Sequence, residues 1–251
     1  MYDPPGYLWA LTIAGMIAIP AVTCLVLYIG AARAGLSRRR AALLAGGAAA
    51  VLGSWFTAST LIAGHGWYQA RLGHGVPWLP VAVVGFLGLL LALRQIPVVA
   101  RALAAPGMMS RLEIPHTFRV LEGTAFLLIM FLGHLPPLFA LPAGLGDIAA
   151  GIAAPLVARR LAQGTGRRAA LWFTAFGMTD LVNALTLGAL TGFQLINVSP
   201  SAAAISELPL ALIPTAAVPL LLALHITSVS ALRRARIAPR LATAPLTAAA
   251  R

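Results

Sequence analysis

Two carboxylates stand inside apolar runs where an acid is expensive. FALPAGLGDIAAG carries Asp147 and FGMTDLVNA carries Asp180, and a carboxylate near the centre of a membrane-crossing helix costs about 2.5–3.5 kcal/mol on insertion scales. Such a group has to be paired, protonated or turned towards a cavity. The residues three and four positions from Asp147 are Ala143, Gly144, Ala150 and Gly151, and small side chains at these spacings let another backbone come close. Asp147 therefore faces protein. Gly177, Asn183 and Ala184 give Asp180 a similarly small and polar surround. Two such acids on neighbouring helices can share a proton or hold a cation, with Asn183 and His134 as further polar groups of the same ligand- or ion-binding site. In the alternative, each Asp bonds a hydroxyl, amide or backbone group across a helix interface, with Thr174, Thr179 and Asn183 as partners.

The five histidines fall on two levels, His65, His74 and His134 on one side and His116 and His225 on the other. Haem requires facing helical histidines at matched depth, whereas His65 and His74 lie in the Gly-rich loop GHGWYQARLGHG. That placement argues against haem. The first group, with Asp147 and Glu207, offers donors for a Zn or Cu ion. His225, in LLLALHITS, is the inner-side candidate, its alternative being a bond to a backbone carbonyl. Glu122 follows Arg119 by three residues, a spacing that permits an ion pair on one helix face, and reads as a structural anchor.

Other chemistries are excluded. Cys24 is the single cysteine, so there is no internal disulfide, CxxC pair or Cys-based zinc site. Phosphate loops with Lys, HExxH, GxSxG and CxxCH are absent, and no catalytic residue can be assigned. All 18 basic residues are Arg; without a Lys, a retinal Schiff base is impossible.

The elements that position these residues follow from composition. Sixty per cent of the 251 residues are hydrophobic and 10% charged, with a mean hydropathy of +0.89, whereas charged residues make up about a quarter of a soluble domain. The expected fold is an all-α membrane protein with seven transmembrane helices at about 7–29, 41–63, 78–93, 120–141, 142–158, 169–190 and 208–231, forming one domain over 1–232. The first run is too long for a signal-peptide core and reads as a retained span. The tail over 233–251, RRARIAPRLATAPLTAAAR, is basic, Ala-rich and expected to be disordered.

Arginines alternate between the connections: Arg33, Arg38, Arg39 and Arg40 after span one, Arg94, Arg101, Arg111 and Arg119 after span three, Arg159, Arg160, Arg167 and Arg168 after span five, and five more after span seven, leaving only Arg71 on the other side. By the positive-inside rule the N-terminus is outside and the C-terminus cytoplasmic. Short basic clusters between apolar runs point to anionic lipids at the cytoplasmic face and away from nucleic acid. The segment RQIPVVARALAAPGMMSRLEIPHTFR is long enough to lay a short helix on the membrane surface. The small-residue row Ala45, Ala49 and Gly53 offers a packing face for a second copy or another subunit.

With span five starting at Pro142, Asp147 lies roughly 8–9 Å inside the outer boundary; with span six starting at Ala169, Asp180 lies roughly 16–17 Å from the cytoplasmic side. The short connection RRLAQGTGRR makes these helices antiparallel neighbours. Pro136 and Pro137 are expected to break span four, Pro142 to open span five, and Pro209, Pro214 and Pro219 to interrupt span seven.

The residues FRVLEGTAFLL, LPPLFALPAGLGDIAAGIAAP and ELPLALIPTAAVPLLLALH resemble a family of small uncharacterised bacterial multi-pass integral membrane proteins carrying a FALPAGxGD segment. The resemblance implies the inner (plasma) membrane and no activity. The leading expectation is a polytopic protein whose buried acidic site binds or transports a proton, cation or small solute. A redox or lipid-modifying membrane enzyme using His residues is the alternative, and a non-catalytic sensor or partner subunit is the third class.

Overall fold

The computed structural model describes residues 4–69 and 76–242, the side chains of 234–242 excepted. The described residues form helices α1 (Gly6–Arg33), α2 (Arg38–Gly64), α3 (Trp78–Leu93), α4 (Pro97–Leu103), α5 (Met108–Arg111), α6 (Arg119–Phe131), α7 (Pro137–Ala162), α8 (Arg167–Gly192) and α9 (Val218–Ala242). Short 3₁₀ turns cover Ile114–Phe118 and Ala202–Ser206, and a π turn covers Ile213–Ala217. Six helical stretches are long and apolar enough to cross a membrane, or seven if α3 and α4, bent by 88° at their junction, count as one.

The core lies around α9, whose residues Leu220 to His225 are all buried. α2 is its opposite, with most of its length exposed and the Ala49 and Gly53 positions facing outward. One end of α2 is nevertheless tied in. Pro219 has no N–H to offer the carbonyl four residues back, and the indole Nε1 of Trp55 donates to that Thr215 oxygen at 2.8 Å. Trp55 also stacks on Phe86 of α3, centroids 4.6 Å apart, and Ser59 shares hydrogen bonds with Thr215 and Tyr68. The expected interruption by Pro209, Pro214 and Pro219 is thus a turn and a π segment before α9 starts, rather than a kinked continuous helix from 208.

Two boundaries differ from expectation. The break at Pro136–Pro137 ends one helix and begins the next: Gly133, at φ +78, terminates the α6 segment, and Pro137, at the first helical position, has a fixed φ suited to helix entry and no N–H to leave unbonded. Pro142 is therefore inside α7, and Asp147 lies roughly 15 Å along the helix from its start instead of 8–9 Å. At the other end of the chain, α9 continues into the expected tail as far as Ala242, and 243–251 lie outside the described residues. The long connection after α3 does contain a short helix, α4, which packs on α1: the Gly30 backbone lies so close to the Ala102 carbonyl that a side chain at 30 would collide with it.

Candidate functional site

The centre of the site is Arg119, the largest fully buried side chain. It stands at the first position of α6, where the 3₁₀ turn becomes an α-helix. α7 and α8, antiparallel and joined by a short loop, each present one carboxylate to it. Arg119 Nε donates to Asp147 Oδ1 at 2.7 Å and Nη2 donates to Asp180 Oδ2. Both acids are buried. A planar guanidinium serving two carboxylates through separate N–H groups fixes the relative position of three helices.

Glycines make the approach possible. A Cβ at Gly146 would run into the Asp180 carboxylate, one at Gly144 would meet the Leu127 side chain, and one at Gly123 would meet the Gly144 carbonyl. Read through the structure, GLGD is a contact surface followed by its acid: Gly144 faces α6, Gly146 faces α8 and Asp147 faces Arg119. Gly177 makes room for the His225 ring, since a side chain there would overlap Nε2.

Around this hub lie more buried polar groups. Glu122, expected to pair with Arg119, does not: Nε and Nη2 are taken by α7 and α8, and Arg119 Nη1 and both Glu122 oxygens are buried without a hydrogen-bond partner among the described residues. Gly15 of α1 faces it: a Cβ added there would come to ordinary van der Waals distance, 3.6 Å, of the Glu122 Cγ. His116 is fully buried and stacks on His225, centroids 3.9 Å apart and planes at 25°. Phe173 stands edge-on to His116 at 5.6 Å. Glu113 is also fully buried, with Ser228 nearby but not in hydrogen-bonding geometry.

A cavity of about 220 Å³ reaches Asp147. Phe126, Phe139, Leu181 and Gly188 line it, as do Tyr68 and Ser206. Its walls are apolar, so Asp147 is the charged group it exposes.

The structure brings Asp147 and Asp180 together on one guanidinium, and puts His225 in a buried cluster beside them. It does not bring the remaining candidates there. Asn183, half-buried one turn along α8, makes no hydrogen bond to either acid. His134 is exposed in the turn before α7, and His65 is exposed at the end of α2 with Nδ1 2.7 Å from the Leu61 carbonyl. Glu207 is half-buried and accepts from Gln69 Nε2 at 3.5 Å. His74 lies outside the described residues. The expected metal set of His65, His134, Glu207 and Asp147 is thus spread over loop ends and the bundle interior.

Glu113 escaped the sequence reading, while His116 entered it only as one of the inner-level histidines and Arg119 only as a cytoplasmic arginine and a partner for Glu122. A signal existed. Glu113, His116, Arg119 and Glu122 recur every third residue, and all four are fully buried. The 3₁₀ turn, with three residues per turn, aligns Glu113, His116 and Arg119, and Glu122 follows three residues on in α6, where that spacing still makes neighbours.

These features define a class: an all-helical chain with six or seven helices long and apolar enough to cross a membrane, built around a buried guanidinium–carboxylate hub. The chain belongs to the family described as a domain of unknown function (DUF8737), whose model matches residues 76–233. That range contains every residue of the hub and of the histidine cluster, and leaves out α1 and α2. No significant match is found among curated proteins or solved structures.

Proposed function

We propose that the protein is a multi-pass protein of the bacterial inner membrane that binds a proton or a cation at the Asp147–Arg119–Asp180 hub and couples it to movement of a small solute. The observation that carries this reading is the charge imbalance at the foot of the cavity. Arg119 offsets one negative charge, while Asp147, Asp180 and Glu122 offer three carboxyls within one buried cluster. Buried charge has to be matched, so two further positive charges, as protons or bound cations, complete the site. An apolar cavity ending on Asp147 supplies a route by which such an ion arrives.

The orientation belongs to the same proposal. If α3 crosses the membrane with α4 lying in the connection that follows it, the count is seven, and the Arg-rich connections all fall on one side, which is then cytoplasmic. Arg119 leaves the count of surface arginines, but Arg94, Arg101 and Arg111 keep the parity of its segment. The cavity then opens towards the outside.

The test uses the full chain in liposomes, with calorimetric titration of Na⁺, K⁺ and Mg²⁺ and proton uptake followed by a pH dye. Wild type is expected to bind at least one of these ions, and folded Asp147→Asn to lose that binding. Undiminished binding by Asp147→Asn, or no binding by wild type, overturns the reading.

A further inference from the structure

The group most clearly left without partners is not the hub but its neighbour. Glu113, His116 and His225 are each fully buried, and none of their side-chain oxygens or ring nitrogens has a hydrogen-bond partner among the described residues. Ring nitrogens in that state are uncommon, because burying a polar atom without a bond costs on the order of 1–3 kcal/mol in proteins. One donor atom from each of the three residues lies within 4.8 Å of the others. We infer that Glu113, His116 and His225 bind a divalent transition-metal ion, in the manner of zinc.

The donor chemistry fits. Two imidazoles and one carboxylate form a set used by zinc and ferrous iron, with a position left open for water or substrate. Ligands at about 2.0–2.2 Å from a tetrahedral ion stand roughly 3.3–3.6 Å apart, so side-chain movement of about an ångström closes the site. The two rings are stacked, 3.9 Å apart, so one of them has to turn out of the stack to aim its nitrogen at a shared ion. His116 comes from the 3₁₀ turn, His225 from α9, and Gly177 on α8 leaves the space that His225 occupies.

Charge argues the same way. The four buried acids Glu113, Glu122, Asp147 and Asp180 outnumber the single buried Arg119, leaving an excess of three negative charges when all are ionised. A divalent ion at Glu113 removes two of the three. The site would lie beside the hub: a Cβ added at Gly177 would overlap the His225 ring and stand 3.3 Å from Arg119 Nη1.

The inference is independent of ion binding at Asp147 and is tested on the untagged full chain in detergent, by elemental analysis after growth with zinc and by titration of the chelator-stripped protein with Zn²⁺. About one zinc per chain is expected, with affinity falling at least roughly tenfold in Glu113→Gln and His225→Gln. His65→Ala, which changes an exposed histidine, is expected to keep the metal, as is Asp147→Asn. Zinc X-ray absorption on wild type needs no variant to fold, and should show imidazole nitrogens at about 2.0–2.1 Å. No zinc uptake, uptake unaffected by both ligand variants, or a shell without imidazole would each overturn the assignment.

Discussion

Gly146→Ala adds one methyl group at the point where α7 and α8 touch. The new Cβ would occupy the position of the Asp180 carboxylate, so either the helices separate or Asp180 leaves Arg119. Both routes break a buried ion pair, and removing one partner of such a pair costs about 3–5 kcal/mol. The comparison that isolates this effect is Gly88→Ala on α3, where the added methyl meets nothing within 4 Å. Each change replaces a helix-interior glycine, so the helix-propensity gain of about 1 kcal/mol is common to both and cancels in the difference. Gly146→Ala should therefore be about 3–5 kcal/mol less stable than Gly88→Ala, a ratio of more than a hundredfold in the folding equilibrium. Reversible unfolding in mixed dodecylmaltoside and SDS micelles, read by tryptophan fluorescence, measures it. Equal stabilities for the two variants would refute the claim that GLGD is a contact surface for Asp180.

Two more outcomes follow from the α2 attachment. Trp55→Phe keeps the stacking on Phe86 but leaves the Thr215 carbonyl without its donor, and should lower stability by about 1–3 kcal/mol in the same assay. Tyr68, just past the end of α2, has its phenol pushed above the usual value of 10.0, chiefly by burial. The unfolded chain then ionises first as pH rises, so this stabilisation is complete below pH about 10 and is lost between there and the folded-state value. Tyr68→Phe should abolish that part of the alkaline decline, as seen in unfolding midpoints measured from pH 9 to about 11.5.

The helices were legible wherever length and apolarity decide, because α1, α2, α3, α7 and α8 are bounded by arginines, glycines or prolines that leave few alternatives. The junction of α6 and α7 was not, since Pro137 and Pro142, five residues apart, both look like helix starts, and Phe139 and Ala140 of the helix that starts at Pro137 pack into the core. Asp147 and Asp180 could be paired from sequence because a short loop makes their helices neighbours and both carry glycines nearby. Arg119 could not be found by sorting arginines to the cytoplasmic side, a rule about average exposure that takes no account of a partner two helices away. The every-third-residue row was visible, but under an α-helical period, in which it drifts by about 60° per step, only adjacent members such as Arg119 and Glu122 meet.

That drift gives the 3₁₀ turn at Ile114–Phe118 a role as a phase setter between the two clusters. Three residues at about 120° each return His116 and Arg119 to the same azimuth, while an α-helical winding of the same stretch would leave them about 60° out of step and about 1.5 Å closer along the axis. The pitch of one short turn therefore sets whether the histidine cluster and the guanidinium hub lie on the same side of the segment that joins them. Inserting a single residue between them would turn one cluster away from the other without changing any side chain of either.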